Sequence, residues 1–232
     1  MGFVIKHDYH QLITLDDLNT IIDNDDHILD ESMLSTQREM ESYLRGRFAV
    51  DKMFLDVTEY QIATEYLVGT IVVLTAESWK NQQYTIGQLV SFDVGGVKSV
   101  YRCIQDTTTK QIPTDSVYWR KIGQTDQLYT VLQTASNVDP KNVDFYEPRD
   151  ARDPHLIRMF IDLLLYEIHS RISPRNIPEF RIQRHDDVIS YLKNVSDPRK
   201  NINPSFPTNE QPENEGFDIS FGSAKNKSNH SY

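Results

Sequence analysis

The residues with the chemistry to form a site are few and scattered. His7 and His10 stand three apart, a spacing at which two imidazoles on one helical turn can share a metal. No cysteine or third ligand lies near them, so the pair reads as solvated histidines and no metal is expected. Asp25-Asp26 and Asp186-Asp187 are acidic pairs, but adjacent residues on a helix point in different directions, so neither forms a dyad for acid–base work. Asp16-Asp17 reads instead as compensation of a helix dipole. No glycine-rich phosphate loop, nucleophile elbow or zincin pattern occurs. The expectation is a protein that is not an enzyme and carries no cofactor. Binding candidates remain: the arginines Arg45 and Arg47, and the aromatics Trp79, Tyr84, Tyr118 and Trp119. The arginines can hold a partner subunit, cap a helix or touch DNA, and the rings can form a core or a stacking platform.

Composition narrows the class of protein that carries them. The chain has 232 residues, 38% hydrophobic and 25% charged, which suits a globular protein with polar ends. A net charge of −10 argues against a surface built to grip phosphates, and is compatible with one that repels them. A single cysteine, Cys103, excludes an intramolecular disulfide framework and fits a reducing compartment. No start with the pattern of a signal peptide is present, so the protein is expected to be cytosolic when made.

The elements follow from periodicity. Residues 1–13 read as an extended arm. Thr14 caps a short helix that stops near Asn24, and a stronger one runs from about Ile28 to Gly46, with Leu29, Met33, Met40 and Leu44 on one face and Gly46 as C-cap. Residues 50–69 can begin as a helix, and the β-branched run Thr70 to Thr75 reads as a strand. Gly95-Gly96 splits two further strands, 88–94 and 97–105, and 127–135 is either a strand or a link. The stretch 137–154 is a turn-rich connector with three prolines. Leu156 to Ile172 is the most apolar run, a helix buried on most sides yet too interrupted by Arg158, Asp162 and Glu167 to span a membrane. Pro174 and Pro178 end it, and an amphipathic helix from about Gln183 to Val195 folds back on it. After it, the Asn-, Pro- and Ser-rich tail cannot bury a core. Within that tail Phe217, Ile219 and Phe221 alternate with polar residues, as a strand added to a neighbour's sheet edge would require. The expected fold is α+β. A helical domain of about four helices (1–69 and 126–197) is interrupted by a small antiparallel β-module (70–125) and followed by an extended tail (198–232).

Two resemblances attach to these residues. Tyr43-Leu44-Arg45-Gly46-Arg47-Phe48, the long apolar helix within Asp153 to Arg171, and Arg184-His185-Asp186-Asp187-Val188-Ile189-Ser190-Tyr191-Leu192 occur in the order seen in tailed-phage head–tail connector proteins. The helical frame resembles that family. The resemblance implies a virion protein of the phage neck, made in the host cytoplasm. It would form an oligomeric, dodecameric ring that joins the portal protein to further neck or tail proteins, with no membrane partner. Genomic DNA would pass through its lumen without sequence-specific binding. Arg45, Arg47, Phe217, Ile219 and Phe221 are then the residues expected to dock partners. Separately, Trp79, Tyr84, Gly87, Val90, Val100-Tyr101-Arg102-Cys103, Pro113, Trp119 and Ile122 resemble the pattern of small chitin-binding modules of bacterial chitinases. That resemblance implies a three-stranded sheet plugged by aromatics. As the alternative function it implies carbohydrate binding through Tyr84, Tyr118 and Trp119. The stretch Ile104 to Thr108, where sugar-binding relatives carry exposed aromatics, has none. The tryptophans are therefore expected in the core, leaving Tyr118 as the exposed candidate.

Overall fold

A computed structural model of the protein describes residues 2–108, 111–200, 202 and 204–209. Among the described residues, five α-helices and nine short strands make an α+β protein. The helices are α1 (Leu15–Ile21), α2 (Asp26–Leu44), α3 (Val50–Met53), α4 (Pro154–Ile172) and α5 (Glu179–Ser196). Their starts are set by side-chain caps, because the first amides of a helix lack carbonyl partners. Thr14 accepts from the Asp17 amide, Asp25 from His27, and Asp153 from both His155 and Leu156. Pro154 fits the first turn of α4 because that position needs no N–H. α4 is buried along most of its length between α2 and α5, with Phe160, Leu163, Leu164 and Ile168 at its centre. α5 begins at Glu179, four residues before the Gln183 predicted, because Pro178 initiates the helix. Gly46 is not the left-handed cap expected of it: α2 closes through a right-handed Arg45, and Gly46 has no positive φ.

The β-structure begins earlier and ends later than residues 70–125. The segment after α3 is not a helix. The strands β1 (Val57–Glu59), β3 (Ile71–Val73), β7 (Leu128–Val131) and β9 (Tyr146–Glu147) form one sheet in that order, with β1 and β3 parallel. A second pair joins β2 (Glu65–Tyr66) to β8 (Ala135–Ser136). These flanks are strands and not the helices expected there, and strands of two to four residues are too short to display a period of two. β3 shows why its run is apolar throughout. Ile71 and Val73 pack with Ile5 and Val57 on one face, while Val72 and Leu74 pack with Val100 and Ile122 on the other. The third sheet holds β4 (Leu89–Val94), β5 (Val97–Cys103) and β6 (Trp119–Gln124). Gly95 and Gly96, both at positive φ (63° and 84°), form the tight turn between β4 and β5, as their spacing predicts. Gly123 lets this sheet settle on the four-stranded one: a Cβ there would stand 2.3 Å from Leu74 and 2.5 Å from the Tyr129 hydroxyl.

Both ends of the described chain pack more tightly than their composition suggests. The N-terminal residues are not a free arm. Phe3 is fully buried, its ring 5.1 Å from Phe54 and 5.5 Å from Phe160, and a 3-10 turn follows at Asp8–Gln11. Beyond α5, Phe206 is buried edge-on against Phe48 at 5.6 Å. The Pro207 carbonyl accepts the Ala49 amide, and Thr208 bridges to Phe48. The start of the tail therefore does bury apolar surface, although the residues around Phe206 are mostly polar.

Candidate interaction surfaces

The aromatic residues of the three-stranded module form its core. Tyr84 is buried and edge-on to Trp119 at 5.2 Å, and its hydroxyl bonds both the amide (2.8 Å) and the carbonyl (3.0 Å) of Lys80. Trp119 is 2% exposed, and its Nε1 donates to the Gln111 carbonyl. Trp79 stands edge-on to Phe92, and Tyr118 lies half-buried against the same cluster. Tyr84 and Trp119 are therefore not a stacking platform; they plug a sheet too small to close without large rings. The large apolar side chains that the module exposes, among them Ile86, Ile112 and Val117, are aliphatic and offer no flat ring to a sugar. Among the described residues the only exposed phenylalanine, tyrosine or tryptophan is Phe180, at the start of α5.

The two arginines of the Tyr43–Phe48 stretch differ in their surroundings. Arg45 is exposed and paired with Glu41 at 2.7 Å, one helical turn back. Arg47 points inward: it donates to the carbonyls of Val195 (2.8 Å) and Ile202 (3.1 Å), with its guanidinium 5.2 Å from the Phe48 ring. Its role is to staple the end of α2 to the end of α5 and to the segment that follows, so Arg47 is not free to dock a partner as expected. The Ser196 hydroxyl reinforces this joint by donating to the Tyr43 carbonyl. Phe217, Ile219 and Phe221 lie outside the described residues. His7 and His10 stand edge-to-face at 6.2 Å, and no group of three or more potential metal ligands occurs among the described residues.

Two buried ionic clusters have little or no signature in the sequence. Arg152, with a fully buried side chain, donates to Asp8 at 2.8 and 3.1 Å, to Asp150 at 2.8 Å, and to the Phe3 carbonyl. It ties the N-terminal segment to the connector before α4. Its partner Asp8 is 144 residues away, so no local spacing can announce the pair. The second cluster has a faint signal in an aspartate set inside an apolar helix. Asp162 of α4 faces α5 and meets Arg184 at 3.3 Å and Arg181 at 3.9 Å. Of the three ionisable residues that interrupt the apolar run, Arg158, Asp162 and Glu167, the buried one is Asp162, which turns toward the neighbouring helix.

Compared with models of protein families, with curated proteins and with solved structures, the chain has no match. Among the described residues no helix is long and apolar enough to cross a membrane.

Proposed function

We propose that the protein is a structural component of a tailed-phage virion, one subunit of an oligomeric, dodecameric ring in the neck between portal and tail. The observation that supports this reading best is the convergence of the three connector-like stretches. The Tyr43–Phe48 turn, α4 and α5 are separated in sequence yet form one joint, closed by Arg47 on Val195 and Ser196 on Tyr43. A net charge of −10 suits a lumen through which DNA slides without sticking. In this reading the helices make the ring, Arg45 stays available at its surface, and the β-module decorates the outside. Native mass spectrometry and negative-stain microscopy of the protein with its candidate portal test it. Closed rings on the portal are the expected result. A monomer at every concentration that also leaves the portal uncovered would overturn the proposal.

Carbohydrate binding is the weaker reading, because the rings that would stack on sugar are in the core. Retention on insoluble chitin, lost in Tyr118→Ala, is the result that would revive it.

A further inference from the structure

Arg181 is a buried cation with too few partners. Its side chain lies in the first turn of α5 and the residue is only 7% exposed. A guanidinium carries five N–H donors. The Nε of Arg181 has no hydrogen-bond partner, and its nearest carboxylate, Asp162, stands 3.9 Å away, beyond hydrogen-bond reach. Asp162 is also shared with Arg184, which approaches it more closely. Burial lowers the pKa of Arg181, Asp162 pulls it back up, and Arg184 lowers it further, which marks a charge under-compensated where it sits.

The same side chain lines an open depression of about 630 Å³ between α1, the end of α4 and the start of α5. His169 and His10 share that lining, with Ile13, Ile21 and Phe180 as its apolar wall. The Phe180 ring lies 4.6 Å from the Arg181 guanidinium. Burial and the neighbouring Arg181 lower the pKa of His169, keeping it a neutral imidazole able to donate one N–H. No side chain caps the start of α5, and Phe180 and Arg181 of its first turn line the depression. The carboxylate at the rim, Asp17, is engaged by the Thr14 hydroxyl at 2.6 Å within its own helix cap.

We infer that this depression is an oxyanion site and that its ligand is a carboxylate, held by Arg181 with His169 and His10 around it. One forked cation, already drawn partly to Asp162, matches a single negative charge, and the apolar wall matches the carbon that a carboxylate carries. The carboxylate can come from a small molecule or from a second copy of this chain, which has 34 aspartates and glutamates. The inference does not depend on the ring reading.

Nuclear magnetic resonance of the full-length, 15N-labelled protein tests it through the Arg181 Nε–H signal. Acetate is expected to move that signal saturably, where chloride at equal ionic strength does not. Arg181→Lys, which loses the planar fork, should weaken acetate binding about tenfold. Arg181→Met should abolish it while Arg184 still neutralises Asp162. If diluting the protein alone moves the Nε–H signal, the carboxylate belongs to a second copy; if only added acetate does, it is a free ligand. A signal that responds to inorganic phosphate and not to acetate would overturn the carboxylate assignment. A wild-type signal indifferent to acetate, phosphate and protein concentration would overturn the site altogether.

Discussion

Replacing Arg152 with methionine should be among the most damaging single changes in the helical half. The Arg152 side chain is 0% exposed and that of Asp8 is 4% exposed, so removing the guanidinium leaves the Asp8 carboxylate buried without its counter-charge. Breaking a buried pair from one side costs about 3–5 kcal/mol, because the abandoned charge cannot return to water. Asp150 is 30% exposed and regains hydration, so it adds little to that figure. The Phe3 carbonyl and the N-terminal segment lose an anchor as well. For a chain of this length, about 4 kcal/mol corresponds to a fall in Tm of roughly 8–16 °C. Thermal unfolding by circular dichroism reads the loss, and hydrogen exchange should show the amides of residues 3–9 opening first. The double variant Asp8→Asn, Arg152→Met should recover part of the stability, since the stranded charge is gone. A single variant whose Tm lies within about 2 °C of the wild type would refute the reasoning, for then the buried pair carries no weight.

Other perturbations probe other joints. Gly123→Ala drives a methyl into Leu74 and Tyr129, and overpacking of this kind should cost about 1–3 kcal/mol, read as a lower denaturant midpoint. Phe206→Ala removes the ring that seats the post-α5 segment on Phe48; a loss of about 3 kcal/mol, with faster proteolysis after α5, is expected. Alkaline pH should unfold the sheet half through its phenols. Burial pushes Tyr146 up to about 12 and raises Tyr60 further, against an ordinary value of 10.0. The unfolded chain therefore loses those protons first. Stability should be fully present below pH 10 and fall as pH rises toward 12, with tyrosinate absorbance appearing together with unfolding.

Features were legible in the sequence where their signal was local. A cap announces itself within four residues, so Thr14 locates α1, whereas α2 starts at Asp26 on the cap of Asp25, two residues before the Ile28 expected. The paired glycines at 95 and 96 fix the β4–β5 hairpin, because both must adopt positive φ. The aromatic spacing from Trp79 to Trp119 marks a plugged sheet, and the rings are in its core. Parallel pairing of β1 with β3 has no such signature, since three-residue strands carry no period and their register depends on distant partners. The inward turn of Arg47 is hidden for the same reason: its acceptors, Val195 and Ile202, lie about 150 positions downstream. Phe206 is masked by its polar neighbours, because the average composition of a tail cannot reveal one anchoring ring. Of the Arg181 depression, only Asp162 within an apolar helix gives a hint.

The exit and return of the β-module have a consequence for how such a chain can be remodelled. It leaves from the end of β3 and comes back at the start of β7, and these two strands are antiparallel neighbours with Val73 opposite Leu128. The Leu74 amide donates to Gln127, and the Asp126 amide to Leu74, so the two junctions already sit side by side as the base of a hairpin. A tight two-residue turn spans the same gap that some fifty residues now occupy. The base of the hairpin thus sets the register of the bearing sheet whatever the length of the chain between its two junctions. The face of that sheet that the module now buries, with Leu74 and Tyr129, is what any replacement must cover.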